Sequence, residues 1–195
     1  MAQLQGTETF ANLARAFAGE TQAGARYQLT AKKAKKEGCT AIETLLKMLA
    51  KNEMAHAKVF FDFLTENGTK KFDAVTVDGK YPFKAGVLCD DLAYSAENEQ
   101  EEADIVYPRF AKTAAAEGFS DIARQFTLIA GIENCHKMQL SEIAELLETD
   151  EMYKKKSLFK WKCTECGYEA VQKEAWHICP VCTMPRGAVK VPLSE

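Results

Sequence analysis

The stretch Ile42–Leu64, IETLLKMLAKNEMAHAKVFFDFL, decides the fold. Taking every third or fourth residue gives Ile42, Leu46, Leu49, Glu53, His56, Phe60 and Phe63, the spacing of one helix face packed into a bundle. Glu53 and His56 fall inside that apolar seam. Three residues apart on a helix, their side chains point toward the same spot, and a carboxylate or imidazole withdrawn from water is costly unless something compensates it. A metal ion does so, and the rest of the chain is read for the remaining ligands.

Three more helices are predicted. The first runs from Thr7, a capping residue, to Lys36, with Gly38 just beyond its basic end, and its seam is Phe10, Leu13, Phe17, Glu20, Gly24, Tyr27 and Ala31. The second ends near Asn67-Gly68. Thr69 to Gly86 then shows no sustained helical period and reads as a long crossover, with a short strand at Ala74–Val77; such a connection belongs to the ferritin-like variant of the four-helix bundle. The third helix, Val87 to Ala116, places Leu88, Leu92, Ser95, Glu99, Glu102 and Val106 in phase, which selects Glu99 and Glu102 over Glu97 and Glu101 in the acidic run AENEQEEAD. Pro108 should bend this helix, and Tyr107 is placed to offer a phenol hydroxyl to a ligand carboxylate. In the fourth, Ser120 to Glu148, the seam Ile122, Phe126, Ile129, Glu133, His136, Leu140, Ile143 and Leu147 repeats the glutamate-x-x-histidine pair. Only three histidines exist in the chain, and two of them follow a seam glutamate by three residues.

The 195 residues carry a formal charge of −3 and are 47% apolar, which suits one helical domain with a small appendage. No general basic footprint points to nucleic acid, and no window approaches the roughly 18 apolar residues of a membrane helix. MAQLQGTETF lacks the basic-then-apolar pattern of a signal peptide, so a cytoplasmic protein is expected.

Of the seven cysteines, Cys39, Cys89 and Cys135 lie in helical segments and read as small buried hydrophobes. The other four form Cys163-Thr-Glu-Cys166 and Cys179-Pro-Val-Cys182, twelve residues apart, so that two tight turns present four thiolates to one tetrahedral ion. The basic run Lys154-Lys155-Lys156 marks the boundary, giving a bundle over 1–152 and a metal domain over 153–195. So short a domain needs its ion to hold the fold, with Trp161, Tyr168 and Trp176 packed around it; His177 lies outside ligand spacing.

Together the seams supply Glu20, Glu53 with His56, Glu99 with Glu102, and Glu133 with His136, the inventory of a carboxylate-bridged di-iron or di-manganese bundle. Iron is the better match for redox work, although the ligands do not exclude manganese.

The whole chain resembles the rubrerythrin family, through FAGETQAGARY around Glu20, NEMAH, EQEEADIVYPRFA, IENCH and the CTECGY and CPVC knuckles. The resemblance implies a mainly α protein, a ferritin-like di-iron four-helix bundle followed by a rubredoxin-like domain. It implies a non-haem di-iron peroxidase of anaerobic or microaerophilic metabolism, reducing hydrogen peroxide to water with electrons relayed through an iron on Cys163, Cys166, Cys179 and Cys182. By the family pattern Glu53 and Glu133 bridge the irons, Glu20 and Glu99 are terminal ligands, and His56 and His136 each bind one iron. Glu102 matches a glutamate that replaces a histidine, here His56, on oxidation. Tyr27 and Tyr107 match tyrosines that hydrogen-bond ligand carboxylates. Also implied are a head-to-tail homodimer and an electron donor such as rubredoxin or a separate NAD(P)H-dependent reductase, the chain having no nucleotide-binding glycine fingerprint.

Two other readings compete. A ferritin-like bundle alone suits ferroxidase or iron-storage work, against which stand the four-cysteine domain and Glu102. A zinc-ribbon interaction module on a structural bundle also accounts for the CxxC pairs, since zinc can occupy the four-cysteine site. Colour separates them, because ferric thiolate absorbs visible light and zinc thiolate does not.

Overall fold

The computed structural model describes residues 3–66, 69–71 and 74–193. Helix α1, Glu8–Lys36, starts where the Thr7 hydroxyl accepts from the Phe10 amide, and Lys33, Lys35 and Lys36 occupy its last turn. Gly38, at φ +76°, reverses the chain into α2, Thr40–Leu64. The expected end of this helix at Asn67-Gly68 lies outside the described residues; Leu64 is its last helical residue, and the Thr65 amide closes it onto Phe61 and Phe63 carbonyls.

The crossover contains no strand over 74–77. Instead of pairing with itself it is tied along α1: Arg15 donates to Asp78 at 2.8 Å, Gln22 to the Pro82 carbonyl at 3.4 Å and Lys33 to the Gly86 carbonyl at 2.6 Å. It therefore runs the length of the first helix, and the third helix starts at the end where α1 finishes.

That third helix is not continuous. Helix α3, Leu88–Glu101, passes into a five-residue π turn, Glu102–Val106, before α4, Tyr107–Ala116. Pro108 has no amide proton, and the Tyr107 amide reaches back five residues to the Glu102 carbonyl, so the chain adds one residue to the turn. The seam slips accordingly: Tyr107, 1% exposed, takes the buried place expected for Val106. Gly118, at φ +85°, turns the chain into α5, Ser120–Glu148.

The bundle core is divided in two. One apolar cluster gathers Tyr27, Leu46, Leu49, Leu92, Leu140 and Ile143; the other gathers Leu13, Phe60, Tyr107, Phe110, Phe126 and Ile129. Between them lies a buried polar layer, Glu20, Glu53, His56, Glu99, Glu133 and His136.

After Met152 the chain forms an antiparallel pair, β1 (Lys154–Lys162) and β2 (Glu169–Glu174), with Trp161 opposite Ala170. Trp161 is fully buried and its indole N–H donates to the Gln172 carbonyl at 3.0 Å. Tyr168 and Trp176 rings meet at 5.1 Å. Met152 and Val191 insert into the bundle cluster around Ala41 and Leu146. Gly187 lies so close to the α1–α2 turn that a Cβ there would stand 1.6 Å from the Gly38 carbonyl oxygen. The small unit is thus seated on the Gly38 end of its own bundle.

Candidate metal centres

Each helix delivers its polar residue at mid-length, where flanking apolar side chains fix the rotamer. Glu20, Glu53, Glu99 and Glu133 are at most 1% exposed, with His56 at 7% and His136 at 3%. Burial of four carboxylates without compensation is prohibitive.

The geometry divides into two half-sites. His56 Nδ1 stands 2.9 Å from Glu133 Oε1, 3.1 Å from Glu53 Oε2 and 3.6 Å from Glu20 Oε2. His136 Nδ1 stands 2.8 Å from Glu133 Oε2 and 3.1 Å from Glu53 Oε1. Glu53 and Glu133 therefore each send one oxygen to each imidazole. Two sets of donor atoms result, each within 4.8 Å: Glu20, Glu53, His56 and Glu133, and Glu53, Glu99, Glu133 and His136.

Hydrogen bonds account for few of these approaches: His56 Nδ1 meets Glu53 Oε2, and Tyr107 donates to Glu20 Oε1. Both Glu133 oxygens, Glu53 Oε1, Glu20 Oε2, Glu99 Oε2 and His136 Nδ1 are buried with no hydrogen-bond partner. Lone pairs crowded head-on around two common centres are what two cations require and what a hydrogen-bonded core avoids. The donor set of carboxylates and one imidazole per centre suits iron or manganese better than the thiolate sites favoured by softer ions.

Electrostatics without metal says the same. Burial opposes the His56 imidazolium, but contacts with Glu133, Glu20 and Glu53 outweigh it and lift its pKa to about 12. The same balance, with Glu133 and Glu53, lifts His136 to about 9. Burial would raise Glu53, yet His136 and His56 bring it down to about 2. Glu20 is pushed up by burial, partly relieved by His56, and Glu99 by burial and then Glu102. Protons stand in for cations wherever the carboxylates would otherwise be bare.

Glu102 belongs to neither donor set. It lies on the wall of a cavity of about 360 Å³ beside Tyr107 and Arg26. Desolvation, then the charges of Glu133 and Glu53, raise it to about 8, against the pull of Arg26 and His56. The two tyrosines differ. Tyr107 donates to Glu20 Oε1, whereas the fully buried Tyr27 hydroxyl has no hydrogen-bond partner.

Two neighbours of the site escape a reading of seam positions. Arg26 sits on the edge of the α1 seam in the field of Glu102, Glu99 and Glu53, its Nε buried without a partner. It is a fixed positive charge beside these three carboxylates; a cation flanking an acid-bearing seam is the available signal. The Asn52 side-chain amide is 3.3 Å from His136 Nε2, leaving Nδ1 to face the carboxylates. Being a contact across helices, it leaves no trace in local spacing.

At the other centre Cys163 and Cys182 sulfurs are 3.6 Å apart, and Cys166 and Cys179 sulfurs 3.7 Å. A disulfide would be near 2 Å, while four sulfurs at about 2.3 Å around one ion stand about 3.8 Å from each other. The arrangement is that of a tetrahedral thiolate site. His177 is exposed, 3.2 Å from Arg186, and contributes nothing to it.

Comparison with known proteins agrees with this geometry. The rubrerythrin family model matches residues 11–160. Rubrerythrin-1 of Clostridium acetobutylicum is 40% identical over 100% of this chain and 99% of its own length. Rubrerythrin of Nitratidesulfovibrio vulgaris is 35% identical, covering 95% of both chains. Among solved structures, fully reduced, all-ferrous nigerythrin superposes with a TM-score of 0.64 at 26% identity, over 95% of this chain and 87% of that one. The di-iron bacterioferritin of Desulfovibrio desulfuricans shares the fold, with a TM-score of 0.61 at 22% identity over 73% of this chain and 81% of that one.

Proposed function

The chain belongs to the rubrerythrin family, di-iron oxidoreductases of oxidative-stress metabolism, and from that premise we propose that it is a peroxidase reducing hydrogen peroxide to water. It carries a carboxylate-bridged di-iron site and a four-cysteine iron site. The observation that supports the reading most is the sharing of Glu53 and Glu133 between two imidazoles, an arrangement that would hold two ions side by side.

In this reading Glu53 and Glu133 would serve both ions, Glu20 with His56 and Glu99 with His136 would complete the two ends, and Cys163, Cys166, Cys179 and Cys182 would hold the third iron in a separate domain over 153–195. When bound, the paired ferrous ions supply two electrons together, so that hydrogen peroxide with two protons gives two waters and no radical leaves. Tyr107 holds Glu20 in place by its hydroxyl, and the Phe60, Phe126 and Tyr107 rings, 5.1–5.8 Å apart, seal water from that side. Glu102, on the cavity wall, would be the carboxylate able to replace His56 on a ferric ion, since an anionic ligand suits ferric iron and a neutral imidazole ferrous iron.

Electrons return one at a time from a donor such as rubredoxin or a separate NAD(P)H-dependent reductase, in the cytoplasm. Between Glu20 and its end at Lys36, beside the Gly38 turn where the four-cysteine unit sits, α1 rises about 24 Å. That span supports a head-to-tail homodimer in which the partner's thiolate iron serves this di-iron site.

Metal analysis with anaerobic stopped-flow oxidation of the reduced protein tests the division of labour. Glu53→Ala is expected to lose peroxide reactivity itself. Cys182→Ser should keep a single round of oxidation and lose turnover. Normal turnover by Cys182→Ser would contradict the relay, and peroxide reactivity equal to that of free iron would contradict the peroxidase.

A further inference from the structure

The crossover, which carries none of the metal-ligand residues, puts an aromatic ring on the wall of the cavity that Glu102 borders. Tyr81 lines the cavity of about 360 Å³ that Glu102, Tyr107 and Arg26 also border. A point at the Cβ position of Gly19 would be 3.6 Å from Glu102 Oε1 and 3.8 Å from Tyr81 Cε1, so ring edge and carboxylate flank the same gap. The ring is held on both sides: its hydroxyl donates to the Arg15 carbonyl at 3.2 Å, and a Cβ on Gly79 would come within 2.8 Å of Tyr81 Cζ. Arg15 also grips Asp78 through Nε and Nη2, fixing the segment that precedes the ring.

The cavity holds far more than the roughly 30 Å³ of a single water molecule. Its outer part therefore has room for an alkyl hydroperoxide, while the gap between Tyr81 and Glu102 is narrow. We propose that this cavity is the substrate's entry chamber and that Tyr81 is the specificity-determining residue, its ring limiting reduction to peroxides of about the size of hydrogen peroxide. The inference rests on the peroxidase reading. With the ring removed, an alkyl hydroperoxide reaches the same electrons: ROOH takes up two electrons from the two ferrous ions and two protons from solvent, its O–O bond breaks, and ROH and water leave.

The test compares wild type, Tyr81→Phe and Tyr81→Ala in iron-loaded full-length protein with hydrogen peroxide and tert-butyl hydroperoxide. Tyr81→Ala is expected to raise the rate constant for the alkyl hydroperoxide relative to hydrogen peroxide by about tenfold or more, the scale of discrimination a small steric element provides. Tyr81→Phe, which keeps the ring but loses its bond to the Arg15 carbonyl, should shift selectivity less than Tyr81→Ala does. Gly79→Ala, which must displace the ring, should shift selectivity in the same direction as Tyr81→Ala and keeps the idea open to refutation if Tyr81→Ala misfolds. A second readout needs no turnover: in manganese-loaded protein, paramagnetic relaxation of tert-butanol methyl protons relative to methanol's should increase in Tyr81→Ala. An unchanged relaxation ratio together with an unchanged rate ratio would overturn the role of Tyr81 while leaving the peroxidase intact. Loss of hydrogen peroxide reduction in every form, with the relaxation ratio still raised, would retain the size-limiting ring and overturn the peroxidase reading instead.

Discussion

Glu53 and His56 are three residues apart on one helix face and do different things. Glu53 divides its oxygens between His136 and His56, whereas His56 faces one half-site only, against Glu133, Glu53 and Glu20. Without metal the layer holds protons: His136 titrates near 9 and Glu102 near 8, against ordinary values of 6.5 and 4.5. Each group binds a proton in the folded state that the unfolded chain has released, Glu102 between about 4.5 and 8 and His136 between about 6.5 and 9, so stability of the metal-free protein should fall as pH rises from about 4.5 to about 9. With iron or manganese bound the slope should reverse, because ligation needs neutral imidazole and ionised carboxylate and strengthens as protons become scarce. Melting temperatures across that range, with and without metal, check this; parallel slopes would contradict it. The six residues of the buried polar layer were legible from phase, because a buried charge in an apolar seam breaks a local pattern. Arg26 and Asn52 break none, since their meaning depends on a neighbouring helix.

The crossover shows how an element without regular structure is held. Its ordering depends on side chains of α1, chiefly Arg15, which is about a quarter exposed and pairs with both Glu8 and Asp78. Such ion pairs are worth about 1 kcal/mol or less to global stability. Arg15→Ala should therefore leave the melting temperature nearly unchanged while speeding limited proteolysis within residues 78–82. Equal cleavage rates in wild type and variant would remove Arg15 as the anchor. Absence of helical period gave the crossover its place in the sequence but not its path, which is set by contacts far along the chain. The π turn had a partial signal. Pro108 announces a disturbed helix, but the extra residue enters upstream at Glu102, and only the burial of Tyr107 in place of Val106 reveals the change of phase.

At the scale of the molecule, the two CxxC pairs announce a metal knuckle, while its seat on the bundle is made by Met152, Val191 and Gly187, which carry no motif. The seat places the thiolate iron at the far end of its own bundle. If subunits pair head to tail as proposed, those lacking one centre each should complement: in refolded mixtures of Glu53→Ala with Cys182→Ser, a mixed pair would join an intact thiolate iron to the partner's intact di-iron site. Random pairing leaves about a quarter of the wild-type routes working, from parents that have none. Turnover in the mixture no greater than in either parent would place the relay within one chain.

The most direct measurement is an anaerobic titration of the fully ferrous protein with hydrogen peroxide, followed by visible and Mössbauer spectra with a radical trap present. About one peroxide should oxidise each ferrous pair in the bundle, with no trapped hydroxyl radical, because both electrons leave one two-metal site. Oxidation of one iron at a time, with radical trapped, would contradict a centre in which Glu53 and Glu133 make two ions act as one.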